Sequence, residues 1–329
     1  MADKNSLQNK FRDSINFYES FSDIQLKDIR KNVYDAPLEQ RESIWKSLFS
    51  PHTNLQKDKI EKLFIKMSIE RERFAIDKGY KSAIDMFLDR YKIPNNEYLK
   101  FLKNVDKVIE ICNKNLPPKK DLSTLFYSEF SGTCFICNQK DFPFKDIKSV
   151  QKYFEDNYKN VKKYKNKIVI KSGEKSEMIY KKESDTFEIY LGTSLNSRHK
   201  IADLLHELCH VETHLKYLSN GVNPQEVGMY EREKSSTKLE FEILSRDFPE
   251  LYNSTLGDVL RIFKMTLFEI ELYKNQDRDL SKLYAECFNR CYRDGNQKTN
   301  PTYLIEPEII LTHFTKMAHT IACANLLIG

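Results

Sequence analysis

Three features of the sequence predict a mostly α-helical fold carrying a small antiparallel β-sheet. Apolar residues recur at helical spacing from Leu7 to about Asn115, as in KIEKLFIKMSIERERFAIDKGY and NEYLKFLKNVDKVIEICNKN. Composition agrees: 40% hydrophobic and 31% charged residues with 9 Gly and 10 Pro suit a helix-rich globule better than a sandwich or a disordered chain. Period-two patterning is confined to one interval, between Lys167 and Thr193.

Taken in order, the N-terminal helices are separated by the breakers SPHTN and IPNN and closed by Pro117 and Pro118. The stretch SGTCFICNQKDFPF then reads as an irregular connection. KIVIKSG, SEMIYKKE and TFEIYLGT are short, β-branched or aromatic, and bounded by Ser, Gly and Asp, as strands are. Helices resume afterwards, with breaks expected near DFPELYNSTLGD and RDGNQKTNP. At 329 residues the chain can bury a full core, and it reads as a single domain, 1–329, with an N-terminal helical lobe (about 1–130) and a second lobe (about 131–329).

The net charge of +5 comes from 53 Lys+Arg against 48 Asp+Glu, with the signs interspersed, so no nucleic-acid partner is implied. The lysine-rich stretch Lys159 to Lys167 reads as a solvated helix end or loop. Seven cysteines, an N-terminus without an apolar core, and no apolar run near the ~20 residues that cross a bilayer lead us to expect reduced thiols, no membrane partner and a cytoplasmic setting.

The chemistry concentrates in LLHELCHVETH, Leu204 to His214. His206, Glu207 and His210 form H-E-x-x-H beside an apolar face of Leu204, Leu205 and Leu208. On a helix, imidazoles at i and i+4 project one turn apart from the same side, so both can reach one tetrahedral zinc ion. Glu207 lies about 100° around the helix from His206, placed to hold a water without binding the ion itself. His214 is about 12 Å along the axis from His206, too far to share that ion, and is expected as a supporting or surface residue. The third ligand must come from a later helix, where YEREKSSTKLEFEIL offers Glu231, Glu233, Glu240 and Glu242. Glu233 and Glu240, two turns apart, can both face the histidines if Leu239 and Ile243 face the core; periodicity does not choose between them.

With those residues in view, the sequence resembles the zinc peptidase family of thimet oligopeptidase and oligoendopeptidase F. DLLHELCH is similar to that family's metal helix, with Asp203 and Leu205 in matching places, and EKSSTKLE is similar to its E-x-[PAS]-S-[TQ]-x-x-E signature. The resemblance implies a zincin-like helical fold in which the whole chain is a peptidase domain and the second lobe is catalytic. It selects Glu233 as third zinc ligand and makes Glu240 a supporting residue. Weaker similarity runs through Arg71 to Ile93, through FEIYLGTS as the sheet edge strand beside the cleft, through Leu260 to Tyr273, and through EIILTHFTKMAHTIACANLLIG. In that last segment His313 and Phe314 match, while His319 and Cys323 stand where relatives carry tyrosines. Cys209 replaces a glycine of the metal helix and Thr213 a further histidine.

The expected activity is therefore zinc-dependent hydrolysis of peptides. Zn2+, one per chain, would be held by His206, His210 and Glu233, with Glu207 as general base and then acid. His313 or His319 is the candidate donor to the oxyanion, unless these histidines are merely packed in an apolar helix. Peptide substrates would add along the strand Phe187 to Gly192. The alternative is a weak or inactive relative that binds peptide or protein. CFIC (Cys134, Cys137) has metal spacing without a second pair, and Cys287 and Cys291 are expected in the core.

Overall fold

The computed structural model describes residues 51–115, 143–173, 176–192, 197–292 and 316–329, with isolated positions at 298, 303 and 314. In order, the elements are α1 (Pro51–Asp77), α2 (Ala83–Arg90), α3 (Asn95–Lys103), α4 (Val105–Asn115), α5 (Ile147–Asn157) and α6 (Lys159–Tyr164). A 3-10 turn (Lys165–Lys167) leads to β1 (Ile168–Gly173), β2 (Glu177–Lys181) and β3 (Thr186–Gly192). Then follow α7 (Ser197–Ser219), α8 (Met229–Asp247), α9 (Pro249–Lys274), α10 (Leu280–Cys291) and α11 (Met317–Leu327). The described residues are thus mostly helical with one small sheet, and none of their helices is long and apolar enough to cross a membrane.

Local chemistry sets several of these boundaries. Gly79, at φ +88, ends α1 in the left-handed conformation that glycine adopts without penalty, with Tyr80 N donating back to Ala75 O at 3.0 Å. Pro94 stands at the cap of α3, where its missing N–H costs nothing. The break expected around DFPELYNSTLGD shrinks to the single residue Phe248, because Pro249 is pre-set for a first helical position and α9 starts there.

Compact packing divides the chain into two units. Among the described residues, one comprises 51–90 and 262–292 with positions 298, 303, 314, 316 and 317; the other comprises 91–115, 143–173, 176–192, 197–261 and 318–329. The first is organised around Phe268, whose ring meets Phe64 at 6.0 Å, Tyr284 at 5.0 Å and Tyr303 at 5.7 Å. Lys264 is fully buried there with Nζ 4.6 Å from the Tyr284 ring centroid, a cation–π contact. Cys287 and Cys291 are buried in the same unit, as expected.

The second unit holds the sheet and the histidine-bearing helix. The sheet is mixed rather than antiparallel, in the order β1-β3-β2: β3 pairs with β2 antiparallel (Glu177↔Tyr190 to Lys181↔Thr186) and with β1 parallel (Ile168↔Phe187 to Gly173↔Gly192). The reason is burial. β3 alone turns three buried side chains, Phe187, Ile189 and Leu191, to the core, so it takes the centre, where both of its edges are paired. β3 is therefore not the edge strand the resemblance implied, and it has no free edge on which a peptide could add; among the described residues the outer sides of β1 and β2 are the sheet's edges. The buried face of β3 packs on Leu204, Leu205, Leu208, Val211 and Leu215 of α7, with Val150 and Phe154 of α5 and Leu239 and Ile243 of α8 in the same core. Each such side chain contributes about 1.5–3 kcal/mol when withdrawn from water.

His214 belongs to this junction and not to the surface or the metal cluster. It is 8% exposed, and its ring lies 4.5 Å from that of Tyr180 and 5.2 Å from that of Phe187. Its Nε2 is buried and finds no hydrogen-bond partner among the described residues. Burial, helped by Arg232 and His210, lowers its pKa to about 4. The unfolded chain thus binds a proton between pH 6.5 and 4 that the folded chain refuses, so stability present above pH 6.5 is lost as pH falls through this window. Denaturant titrations of His214→Phe should show a pH dependence flatter by on the order of 2–3 kcal/mol between pH 7 and 4; an unchanged slope would place the proton uptake elsewhere.

Candidate metal centre

The apolar stripe of α7 is turned to the sheet, which leaves His206 and His210 on the side facing α8. Their rings are 4.8 Å apart at 82°, and the two Nε2 atoms face each other at 3.1 Å. Two imidazole nitrogens at that separation cannot both point lone pairs into the gap unless a proton or a cation lies between them. Helix α8 supplies the carboxylates. With Leu239 and Ile243 buried, Glu231 and Glu242 are exposed to solvent, while Glu233 and Glu240 turn toward the histidines.

The two glutamates do different things. Glu233 brings Oε1 to 3.6 Å from His210 Nε2 and Oε2 to 4.0 Å from His206 Nε2, on the ring atoms that face the gap. Glu240 stands behind His206: its Oε2 is 2.8 Å from Nδ1, which fixes the tautomer with Nδ1–H donating and Nε2 as the lone-pair atom. The choice that periodicity left open between the two is thus resolved by which ring nitrogen each one reaches.

One donor atom each from His206, His210 and Glu233 lies within 4.8 Å of the others. A tetrahedral zinc ion with bonds of about 2.0–2.1 Å places its donors about 3.3–3.4 Å apart. The two Nε2 atoms are 3.1 Å apart, and the nearest carboxylate oxygens, Oε1 to His210 and Oε2 to His206, stand at 3.6 and 4.0 Å, close to that value; a two-imidazole, one-carboxylate set is among those zinc accepts. The residues present fit the ion. Electrostatics point the same way. Burial alone would lower the His206 pKa, but Glu240 outweighs it, with Glu207 and Glu233 adding, and pushes it up to about 10. Burial would likewise raise Glu233, yet His210 and His319 hold it well below its ordinary value. Both shifts express one demand: a pocket holding several carboxylates requires positive charge.

Glu207 is 7% exposed and buried beside the two rings, and desolvation raises its pKa above the usual carboxylate range. His319, on α11, reaches the site from a third direction, with Nδ1 3.0 Å from Glu233 Oε2 and its ring 5.4 Å from that of His206. It partners the Glu233 carboxylate. His313 lies outside the described residues, as do Cys134 and Cys137. Cys209 and Cys323 are fully buried, and desolvation pushes both thiols well above their ordinary pKa, so neither is a reactive thiolate.

Two side chains beside the site escaped sequence reasoning. Ser236, one turn past Glu233, places Oγ 3.2 Å from His210 Nε2 and donates to Glu233 O at 3.1 Å; its i+3 spacing from Glu233 was a readable signal. Ser176 donates to Asp203, one turn before His206, and accepts from Gly192 N at 3.1 Å, tying the sheet to α7. No sequence signal marks that contact. No protein-family model matches the chain, and neither a curated protein nor a solved structure matches it.

Because Glu240 orients His206 without reaching the gap, Glu240→Ala should weaken zinc binding about 10- to 100-fold while leaving one ion per chain at saturation. Chelator competition would measure this; wild-type affinity in that variant would mean the Nδ1 contact does not orient the ring.

Proposed function

We propose that the chain is a zinc-dependent metallopeptidase that hydrolyses peptide bonds in oligopeptides or unfolded segments. The observation carrying this reading is the convergence of His206, His210 and Glu233 within 4.8 Å, with a buried Glu207 beside both rings. His206 and His210 would hold the ion through Nε2 and Glu233 through a carboxylate oxygen. When bound, zinc supplies Lewis acidity toward a peptide carbonyl and makes a water acidic enough to ionise near pH 7.

The chain's own residues carry the proton. Glu207 takes it from the attacking water as the new C–O bond forms, then passes it to the amine nitrogen as the C–N bond breaks. Glu240 keeps His206 in the tautomer whose Nε2 is free to coordinate, and His319 steadies the Glu233 carboxylate. A cytoplasmic setting is part of the proposal, supported by the cysteines among the described residues, all five of them buried free thiols.

A second reading, a peptide- or protein-binding module of little catalytic power, is favoured by two observations. Cys323, at a position where the resemblance places a tyrosine, is fully buried and offers the cleft no donor. His319 has Nδ1 engaged by Glu233, which leaves only Nε2 of that ring to meet a substrate. An oxyanion donor lost in this way costs about 2.7–4 kcal/mol, a hundredfold or more in rate.

Cleavage of quenched fluorescent peptides by the zinc-loaded wild type, set beside Glu207→Gln, separates the readings. The peptidase reading expects turnover in the wild type, and at least a hundredfold loss with zinc retained in the variant. A wild type that holds one zinc and cleaves nothing across a varied peptide library is the binding module.

A further inference from the structure

Glu97, in the first turn of α3, gathers donors from two other helices. Its carboxylate accepts from Tyr230 Oη at 3.0 Å and Lys234 Nζ at 3.0 Å, both on α8, and from Asn325 Nδ2 at 2.7 Å, on α11. The same Asn325 amide lies 3.0 Å from the Glu97 backbone carbonyl. Tyr230 is fully buried and Asn325 is 3% exposed, while the Glu97 carboxylate and Lys234 are only partly sheltered, so loss of the acceptor leaves the Tyr230 hydroxyl and the Asn325 amide in the interior without water to replace it.

The placement of these donors is what matters. Tyr230 and Lys234 are one turn apart on α8 and flank Glu233, which lies next to Lys234 in sequence. Asn325 is on the helix that carries His319, about 9 Å along its axis. α8 is seated on the same corner of the chain by two further contacts. Tyr230 N donates to Tyr91 O at 3.2 Å. Gly228, at the cap of α8, sits so close to Lys92 that a Cβ there would fall 2.7 Å from Lys92 Cβ. The segment 91–97 therefore fixes where α8 begins, and through Asn325 it fixes where α11 lies beside it.

We propose that Glu97 is a positioning residue of the metal centre: it holds the helix bearing Glu233 and the helix bearing His319 in the register that lets the two side chains meet. The inference rests on the zinc reading above. It assigns Glu97 no contact with ion or substrate. Its effect is transmitted through the Glu233 carboxylate, whose Oε2 stands 3.0 Å from His319 Nδ1 only while both helices keep this register.

The test uses the full chain as wild type, Glu97→Ala, Glu97→Gln and Tyr230→Phe. Zinc affinity is read by chelator competition, the visible absorption of the cobalt-substituted protein reports ligand geometry, and circular dichroism reports folding. Glu97→Ala is expected to lower zinc affinity about tenfold or more and to alter the cobalt spectrum at unchanged helix content. Glu97→Gln, which keeps an acceptor for Tyr230 and Asn325, should recover most of both. Tyr230→Phe removes one bond without changing shape and should shift both readouts in the same direction by a few-fold, so the inference stays testable if Glu97→Ala does not fold. A wild type that binds zinc, with folded Glu97→Ala or, failing that, Tyr230→Phe matching it in affinity and spectrum, overturns the positioning role alone. A wild type that binds no zinc overturns the metal reading beneath it.

Discussion

Two imidazoles on α7 meet two carboxylates of α8 in a partly sheltered pocket, and the rest of the site depends on that pairing. A carboxylate withdrawn from water is costly unless positive charge or hydrogen-bond donors replace its hydration. Glu240 is buried and Glu233 largely sheltered, so both carboxylates draw on the imidazoles beside them for the stabilisation that water no longer supplies. Glu240 satisfies itself on His206 Nδ1. Glu233 is left facing the two Nε2 atoms, which turns a packing contact into a site for a cation.

For α7 to present that face, its other face must be firmly held. The leucines and Val211 lock it onto β3, and Ser176 clamps Asp203 to the end of the sheet. The central position of β3 matters here. An edge strand could shift or exchange partners, whereas a strand paired on both sides and buried through Phe187, Ile189 and Leu191 is a rigid floor. His214 lies on this floor, its ring packed on Tyr180 and Phe187 as an aromatic surface rather than as a ligand. Three histidines within nine residues thus divide into two chemical roles according to which side of one helix they occupy.

Much of the site was legible in the sequence because it is local. The i, i+4 spacing of His206 and His210 and the neighbouring Glu207 follow from helix geometry alone, and burial of Leu239 and Ile243 excludes Glu231 and Glu242. The roles of Glu233 and Glu240 were not legible from periodicity, since both lie on one stripe of α8 and differ only in the ring nitrogen each meets. The sheet was misread in one respect: alternation shows which residues face the core, and says nothing of which neighbour a strand pairs with.

Residue order by itself determined the helical class, the three strands, and two imidazoles on a common helix face, because hydrophobic period and side-chain projection are properties of consecutive residues. Tertiary structure alone decided that β3 is central, that His214 is an interior ring, and that His319 reaches Glu233 from a helix 86 residues away. Those outcomes depend on how separate elements share one interior, where burial and charge pairing are settled among all of them at once.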